Sequence, residues 1–419
     1  MNEEIQKYTE YCLNCPVKPC SKRGCPLNND IPAFIKQVKE GNVKKAFEIL
    51  SETTVLGSIC GRICPHGKQC QGSCVRGVKG EPVQIGAIEA YVFDEALKNG
   101  WYENIEKTQE LVGRKIAVVG GGPSGLNCAS FLARSGAEVT IFEKYNKLGG
   151  ILIHGIPEFR LDREILDKTI EAILSLGIEV QYNKKLGKNL ELQELEQKYD
   201  AVFLGFGANI PSKMNIEGEE LEGVYGGNSL LEKGIHPSYI GKKVAVIGGG
   251  NVAMDCARTI KKLGAENVCV IYRRAEKQMP AEPKEVAEAR KEGIEFLFQN
   301  NIVRIIGKEK VEKVECIKTE LIKREGETRE VPVNIAGGNY EIEMDYVIMA
   351  LGSNTETEIV AKLGLELDQW GFIKIDENRR TSNPKIYAGG DLTGDKGTVA
   401  WASKAGRDAA EAIIQALAN

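Results

Sequence analysis

Eight of the twelve cysteines lie between positions 12 and 74, in two runs of unequal spacing. The first reads Cys12-x2-Cys15-x4-Cys20-x4-Cys25-Pro26 and the second Cys60-x3-Cys64-x5-Cys70-x3-Cys74. Thiolates at this density are a soft ligand set, suited to iron–sulfur clusters that carry single electrons. Neither run follows the paired C-x2-C knuckles of a tetrahedral zinc site, which stands as the alternative. The Cys12 run, with wider spacing, resembles the bacterial-ferredoxin pattern, in which three cysteines serve one cluster and the cysteine before proline crosses to another. Two [4Fe–4S] clusters need eight ligands, and by spacing alone Cys60 is as good an eighth ligand as any other. Cys128, Cys256, Cys269 and Cys316 are isolated, with no C-x2-C or C-x4-C pair among them. The dithiol by which disulfide reductases draw electrons from a flavin is therefore missing. His66, His154 and His236 match no general-base motif.

A second kind of chemistry is written in glycine. Gly120-x-Gly122-x2-Gly125 follows the apolar run Lys115–Gly120, and Glu143 ends the next strand, Glu138–Phe142. Such glycines let the backbone approach a pyrophosphate at a helix N-terminus, while the acid accepts hydrogen bonds from a ribose with free hydroxyls. Near the C-terminus, Tyr387-Ala-Gly-Gly-Asp391 has the form of the second FAD signature, in which the aspartate holds the ribityl chain. Thr398-Val-Ala-Trp401 then opens a helix whose positive end stabilises negative charge on a reduced flavin. Both halves together point to FAD.

The turn recurs as Gly248-x-Gly250-x2-Ala253 after Lys242–Gly248, with Asn267–Tyr272 as the following strand. Where the first unit has Glu143, this one has Arg273 and Arg274. An acid there repels a 2′-phosphate, whereas paired guanidiniums bind it through forked, charge-assisted hydrogen bonds, so NADPH is expected over NADH.

These sites must be carried by elements of a particular order. Residues 1–110 read as helical, with apolar residues at helical spacing over Ile31–Leu50 and Gln84–Leu97. Beyond them the pattern is α/β: two nested Rossmann-like dinucleotide domains. Apolar runs ending in small-residue turns, Ala201–Gly207 and Tyr346–Gly352, mark two chain crossings, so the second nucleotide domain reads as inserted into the first. The expected divisions are 1–110, 111–210 with 353–419, and 211–352. Lys308–Val331, rich in both charge signs, reads as a solvated strand meander of the inserted domain. A net charge of -4 argues against nucleic acid as a partner. No apolar run approaches the length of a membrane span, and the polar N-terminus has no signal-peptide core. The cytoplasm is the expected compartment, where clustered cysteines bind metal more often than they pair.

The combination resembles a known family. The first cysteine run, Cys60-Gly-Arg-Ile-Cys-Pro65 with Cys70 and Cys74, and Glu81-Pro-Val-Gln-Ile-Gly86 are similar to the small (beta) subunit of NADPH-dependent glutamate synthase. They also resemble the N-terminal half of dihydropyrimidine dehydrogenase. The similarity runs on through Gly149-Gly150, Gly155–Leu161, Met254-Asp255, Tyr272–Ala275, Met279–Ala281 and Ala388–Asp391, essentially the whole chain. The resemblance implies that Cys12, Cys15, Cys20 and Cys74 hold one cluster. It implies that Cys25, Cys64 and Cys70 hold the other, with a fourth ligand that is not cysteine, at the position of Glu89. Ile85, Ile88, Glu89, Val92 and Ala96 share one helical stripe, where an unpaired carboxylate is costly. A salt bridge, for instance to Arg76, is the plainer reading of that residue.

For FAD the expected residues are Gly120, Gly122, Pro123, Ser124, Gly125, Glu143, Lys144, Gly150, Arg160, Gly390, Asp391, Thr398, Val399 and Ala400. For NADPH they are Gly248, Gly250, Asn251, Val252, Ala253, Arg273 and Arg274. Hydride transfer from NADPH to flavin needs positioning and no side-chain acid or base, so no catalytic residue is expected. The implied acceptor is another polypeptide: a glutamate synthase large subunit, a dihydropyrimidine dehydrogenase catalytic subunit or a ferredoxin-type protein. The rival expectation is a stand-alone NADPH oxidoreductase acting on small acceptors or on ferredoxin.

Overall fold

The structure, a computed structural model, describes residues 2–323 and 329–418. Met1, Asn419 and residues 324–328, which fall within the charged Lys308–Val331 stretch, lie outside the described residues. The chain divides into two compact units: Met1–Ile153 with Glu158–Ala208 and Thr355–Asn419, and Asn209–Asn354 with His154–Pro157.

In the first unit, five parallel strands lie in the order Ile386–Ala388, Ala201–Leu204, Lys115–Val119, Glu138–Phe142, Glu179–Gln181. The strand Lys115–Val119 is buried from its second residue onward, as expected of a parallel strand covered on both faces. One face packs on Leu190, Leu195, Val360 and Leu392. The helix Pro123–Arg134 and the C-terminal helix Val399–Leu417 pack closely on each other, because Gly406 has no side chain. A Cβ there would lie 2.0 Å from the Ser124 carbonyl oxygen.

The cysteine-rich N-terminal region belongs to this same unit. Its apolar stripes form four short α-helices after Glu3–Tyr11: Ile31–Lys39, Val43–Ser51, Gly57–Ile63 and Ile85–Lys98. The helical spacing over Ile31–Leu50 is carried by two helices, divided at Gly41, which takes the left-handed conformation with φ +83°. Phe47, Phe93 and Tyr102 form an aromatic knot, and Gly57 lets Phe93 lie flush on its helix. Buried polar groups lock these helices to the nucleotide fold. Asn127 accepts the Val55 N–H at 3.2 Å and donates to the Ser403 carbonyl at 2.8 Å. The Ser58 and Thr169 hydroxyls meet at 2.7 Å, and Arg407 donates to the Leu27 carbonyl at 2.9 Å.

The second unit repeats the five-stranded parallel sheet, in the order Val224–Gly226, Tyr346–Met349, Lys243–Ile247, Asn267–Tyr272, Glu295–Phe298. Alternate residues split its two faces. Val244, Val246, Val268 and Val270 meet the helices Asn251–Lys262 and Pro283–Lys291, while Ala245, Ile247, Cys269 and Ile271 meet an antiparallel sheet. That sheet pairs Asn300–Ile306, Lys313–Ile322 and Val331–Glu343. Cys269 and Cys316 are buried between the two sheets.

Candidate functional site

Cys12, Cys15, Cys20 and Cys74 line one cavity, whose remaining wall is apolar (Leu13, Pro19, Ile31, Ile35, Val75, Val83, Ile85) apart from Arg76. Four thiols in a wall otherwise almost free of polar side chains fit a soft thiolate-bound cluster, so the donor set suits the group the spacing suggests. Backbone N–H groups of Asn14 and Ser21 donate to the Cys12 and Cys20 sulfurs. Burial pushes the Cys20 thiol up to about 11. Buried sulfurs become thiolates readily only against a positive charge, which bound iron supplies.

Cys25, Cys64, Cys70 and Glu89 form a second group, each close enough to feel the others' charge. Burial pushes Cys25 up to about 12 and the Glu89 carboxyl up to about 8. Glu89 is 6% exposed and has no ion pair among the described residues. The Arg76 salt bridge does not form: its Nε donates to the Tyr11 carbonyl at 2.9 Å, and its guanidinium lies 4.2 Å from the Tyr11 ring centre. A buried carboxylate without a cation, among three thiols, fits a metal ligand. Cys60 also belongs here, its thiol hydrogen-bonded to that of Cys64. Among the described residues no three Cys, His, Asp or Glu groups converge on a point that could hold a single metal ion. A four-iron cluster makes no such demand, because each ligand binds a different iron.

The first glycine turn is shaped by backbone approach. Gly120 has φ +102°, and a Cβ on it would lie 2.7 Å from the Gly205 carbonyl oxygen. Glu143 accepts the Gly121 N–H at 2.8 Å and the Tyr145 N–H at 3.0 Å, with burial raising its pKa against those donors. Gly149 donates to the Gly121 carbonyl at 2.8 Å, which brings Gly150 beside Gly122. Gly390 comes to the Ser124 side chain from the far end of the chain. Ser124 Oγ is buried without a hydrogen-bond partner among the described residues, and burial raises the Asp391 carboxyl. An orphaned hydroxyl at a helix N-terminus, beside a glycine cradle and a buried acid, fits a bound dinucleotide. Lys144 pairs with Glu356 at 3.7 Å, and Arg160 lies in the turn before Arg163–Leu174.

Thr398 caps the C-terminal helix, its hydroxyl accepting the Trp401 N–H at 3.3 Å and a hydrogen bond from Gln69 at 3.4 Å. The Ala400 N–H at the start of that helix donates to the Cys64 sulfur. The helix start expected at a flavin thus touches the second cysteine group directly.

In the second unit, Gly248 has φ +140°, and a Cβ there would lie 2.2 Å from the Ala350 carbonyl oxygen. Gly250, Asn251, Val252 and Ala253 open the helix, and Asn251 accepts the Glu282 N–H at 2.9 Å. Thr319 donates to the Arg273 carbonyl at 2.8 Å and Gln299 to the Arg274 carbonyl at 3.0 Å. The loop is held by its backbone, and neither guanidinium forms a salt bridge among the described residues.

Motif reading did not single out Asn29, Gln69 or Asn127. Each acts through a partner distant in sequence, so no local spacing signals it.

Two family models match. Pyridine nucleotide-disulphide oxidoreductase matches residues 77–188 and 114–409, and dihydropyrimidine dehydrogenase domain II, 4Fe-4S cluster, matches residues 1–101. The Escherichia coli glutamate synthase [NADPH] small chain is 37% identical, covering 98% of this chain and 91% of its own. The Moorella thermoacetica NADP(+)-dependent formate dehydrogenase subunit beta is 36% identical over 95% of this chain but only 60% of its own. Among solved structures, Mycobacterium tuberculosis FprA in complex with NADPH shares the fold, with a TM-score of 0.64 at 22% identity over 72% of this chain and 84% of FprA. With a 4Fe–4S segment joined to a pyridine-nucleotide flavoprotein fold over its whole length, the chain belongs to the glutamate synthase small-chain family, NADPH-dependent oxidoreductase subunits that pass electrons to a partner.

Proposed function

We propose that this chain takes electrons from NADPH at the Gly248 turn and delivers them singly to a partner through two [4Fe–4S] clusters. FAD, held by the first unit, and the clusters supply the conversion of a hydride equivalent into single electrons. In this reading residues 1–110 carry the clusters, 111–210 with 353–419 bind FAD, and 211–352 bind NADPH. Arg273 and Arg274 grip the 2′-phosphate. Gly120, Gly122, Gly125 and Gly150 admit the FAD pyrophosphate, Glu143 orients its ribose, and Asp391 holds the ribityl chain. Cys12, Cys15, Cys20 and Cys74 ligate one cluster; Cys25, Cys64, Cys70 and Glu89 ligate the other. The observation that carries the reading is the Ala400 N–H bond to Cys64. It supports a short route from the flavin to the second cysteine group.

The partner we favour is a glutamate synthase large subunit, on the near full-length match to small chains. A dihydropyrimidine dehydrogenase catalytic subunit is the second reading, favoured by the match over residues 1–101. A ferredoxin-like protein is the remaining alternative acceptor, and a cytoplasmic location goes with each reading. No helix among the described residues is long and apolar enough to cross a membrane.

Anaerobic titration with NADPH, followed by absorbance and EPR with flavin and iron quantified, tests the proposal. The expected result is one FAD and about eight irons per chain, with flavin bleaching followed by cluster signals. Flavin bleaching without iron would overturn the assignment of the cysteines. Cys60→Ser should retain all the iron; loss of half would make Cys60 a ligand in place of Glu89.

A further inference from the structure

Asn29 is 2% exposed and touches two members of the second cysteine group at once. Its backbone N–H donates to the Cys25 sulfur. Its side-chain Nδ2 donates to Glu89 Oε1 at 3.3 Å, and its Oδ1 accepts the Thr53 hydroxyl at 2.5 Å. Bound to a metal, Glu89 is an ionised carboxylate that only accepts hydrogen bonds, so the amide nitrogen faces it and Oδ1 faces the Thr53 hydroxyl, which also reaches the Leu50 carbonyl at 3.0 Å. Asn29 is the only hydrogen-bond partner of Glu89 among the described residues. One carboxylate oxygen is therefore engaged and the other is left open beside the thiols.

We propose that Asn29 is a positioning residue that presents Glu89 to iron through a single oxygen and ties it to the cluster that Cys25 serves. The proposal rests on Glu89 being the fourth ligand of that cluster. A residue that only filled the core would need neither donor aimed at a ligand. Donors of this kind set the orientation and basicity of a metal ligand, and their loss weakens metal binding by roughly 10- to 100-fold.

The test is a double-mutant cycle on the cluster-loaded chain: Asn29→Leu, Glu89→Cys and the two combined. The readouts are the EPR spectrum and midpoint potential of each cluster, and the rate of iron loss to a chelator. Glu89→Cys should shift the spectrum and potential of one cluster. Asn29→Leu should shift the same cluster and speed its iron loss roughly tenfold. In the Glu89→Cys background, Asn29→Leu should do neither, because a cysteine ligand needs no amide to orient it. Equal effects of Asn29→Leu in both backgrounds would make Asn29 merely structural and overturn the proposal, as would no effect in either. If Glu89→Cys leaves both clusters unchanged, it is the ligand assignment itself that fails. Thr53→Val removes the hydroxyl beside the amide oxygen, together with its 3.0 Å bond to the Leu50 carbonyl. It should give the same pattern at smaller size, and it decides the matter if Asn29→Leu does not fold.

Discussion

The two strand–turn–helix units of this chain are near copies in backbone and opposites in charge. In both, the first turn glycine has positive φ and presses on the carbonyl of a neighbouring crossing, Gly120 on Gly205 and Gly248 on Ala350. After the second strand they part. Glu143 folds back onto the Gly121 N–H, while Tyr272 lies against Gly249 and leaves Arg273 and Arg274 beyond the strand end. They also differ at the third small residue. A Cβ on Gly125 would lie 1.9 Å from the Gly120 carbonyl oxygen, whereas Ala253 carries one, fully buried. The same fold thus packs its helix tightly in one unit and with a methyl's clearance in the other. The charges that distinguish the two units lie outside the turn.

The comparison breaks most visibly at Gly125. Gly125→Ala should cost about 3 kcal/mol or more through overpacking against backbone that cannot move aside. The expected chain unfolds at lower temperature and retains no flavin, as measured by thermal melting and the flavin-to-protein absorbance ratio. A flavin-loaded variant of ordinary stability would show that the turn relaxes.

The charge contrast is the next lever. Arg273→Ala with Arg274→Ala should raise KM for NADPH by roughly 10- to 100-fold, the worth of about 1.5–3 kcal/mol of charge-assisted hydrogen bonding. KM for NADH should stay where it is. Steady-state kinetics with both nucleotides and a dye acceptor decide the point, and an equal rise in both would remove the phosphate role.

The smallest effect sharpens the same comparison from the other side. Ala253→Gly restores the glycine of the first unit, but the space it opens is not needed. It should lower stability by about 1–2 kcal/mol, through helix propensity and the lost burial of one methyl. Nucleotide KM values should not change, and a loss as large as that of Gly125→Ala would mean the two turns pack alike.

Much of this was legible from residue spacing. Lys115–Val119 and Lys243–Ile247 are strands running into glycine turns, and Thr398 caps a helix, because each feature is a short-range pattern whose cause lies within a few residues. Ile31–Leu50 was harder, since apolar periodicity continues across Gly41 while the backbone turns there. Glu89 shows the limit. Its place on an apolar stripe marked it as costly and pointed to ligation, with a salt bridge to Arg76 left open as the alternative. Only the fold takes Arg76 away to Tyr11.

The amino-acid sequence by itself determined the chemical groups this chain carries: soft thiolates, two glycine-rich strand–turn–helix units, an acid at one and two guanidiniums at the other. Those follow from residue type and local spacing. Tertiary structure decided which of them meet. It brought Cys74 to Cys12, Gly390 to Ser124, the Ala400 amide to Cys64 and Asn29 to both Cys25 and Glu89. The physical reason is that buried polar groups and thiols must find partners once water is excluded. In a packed core those partners are chosen by which helices and loops lie together, whatever their distance along the chain.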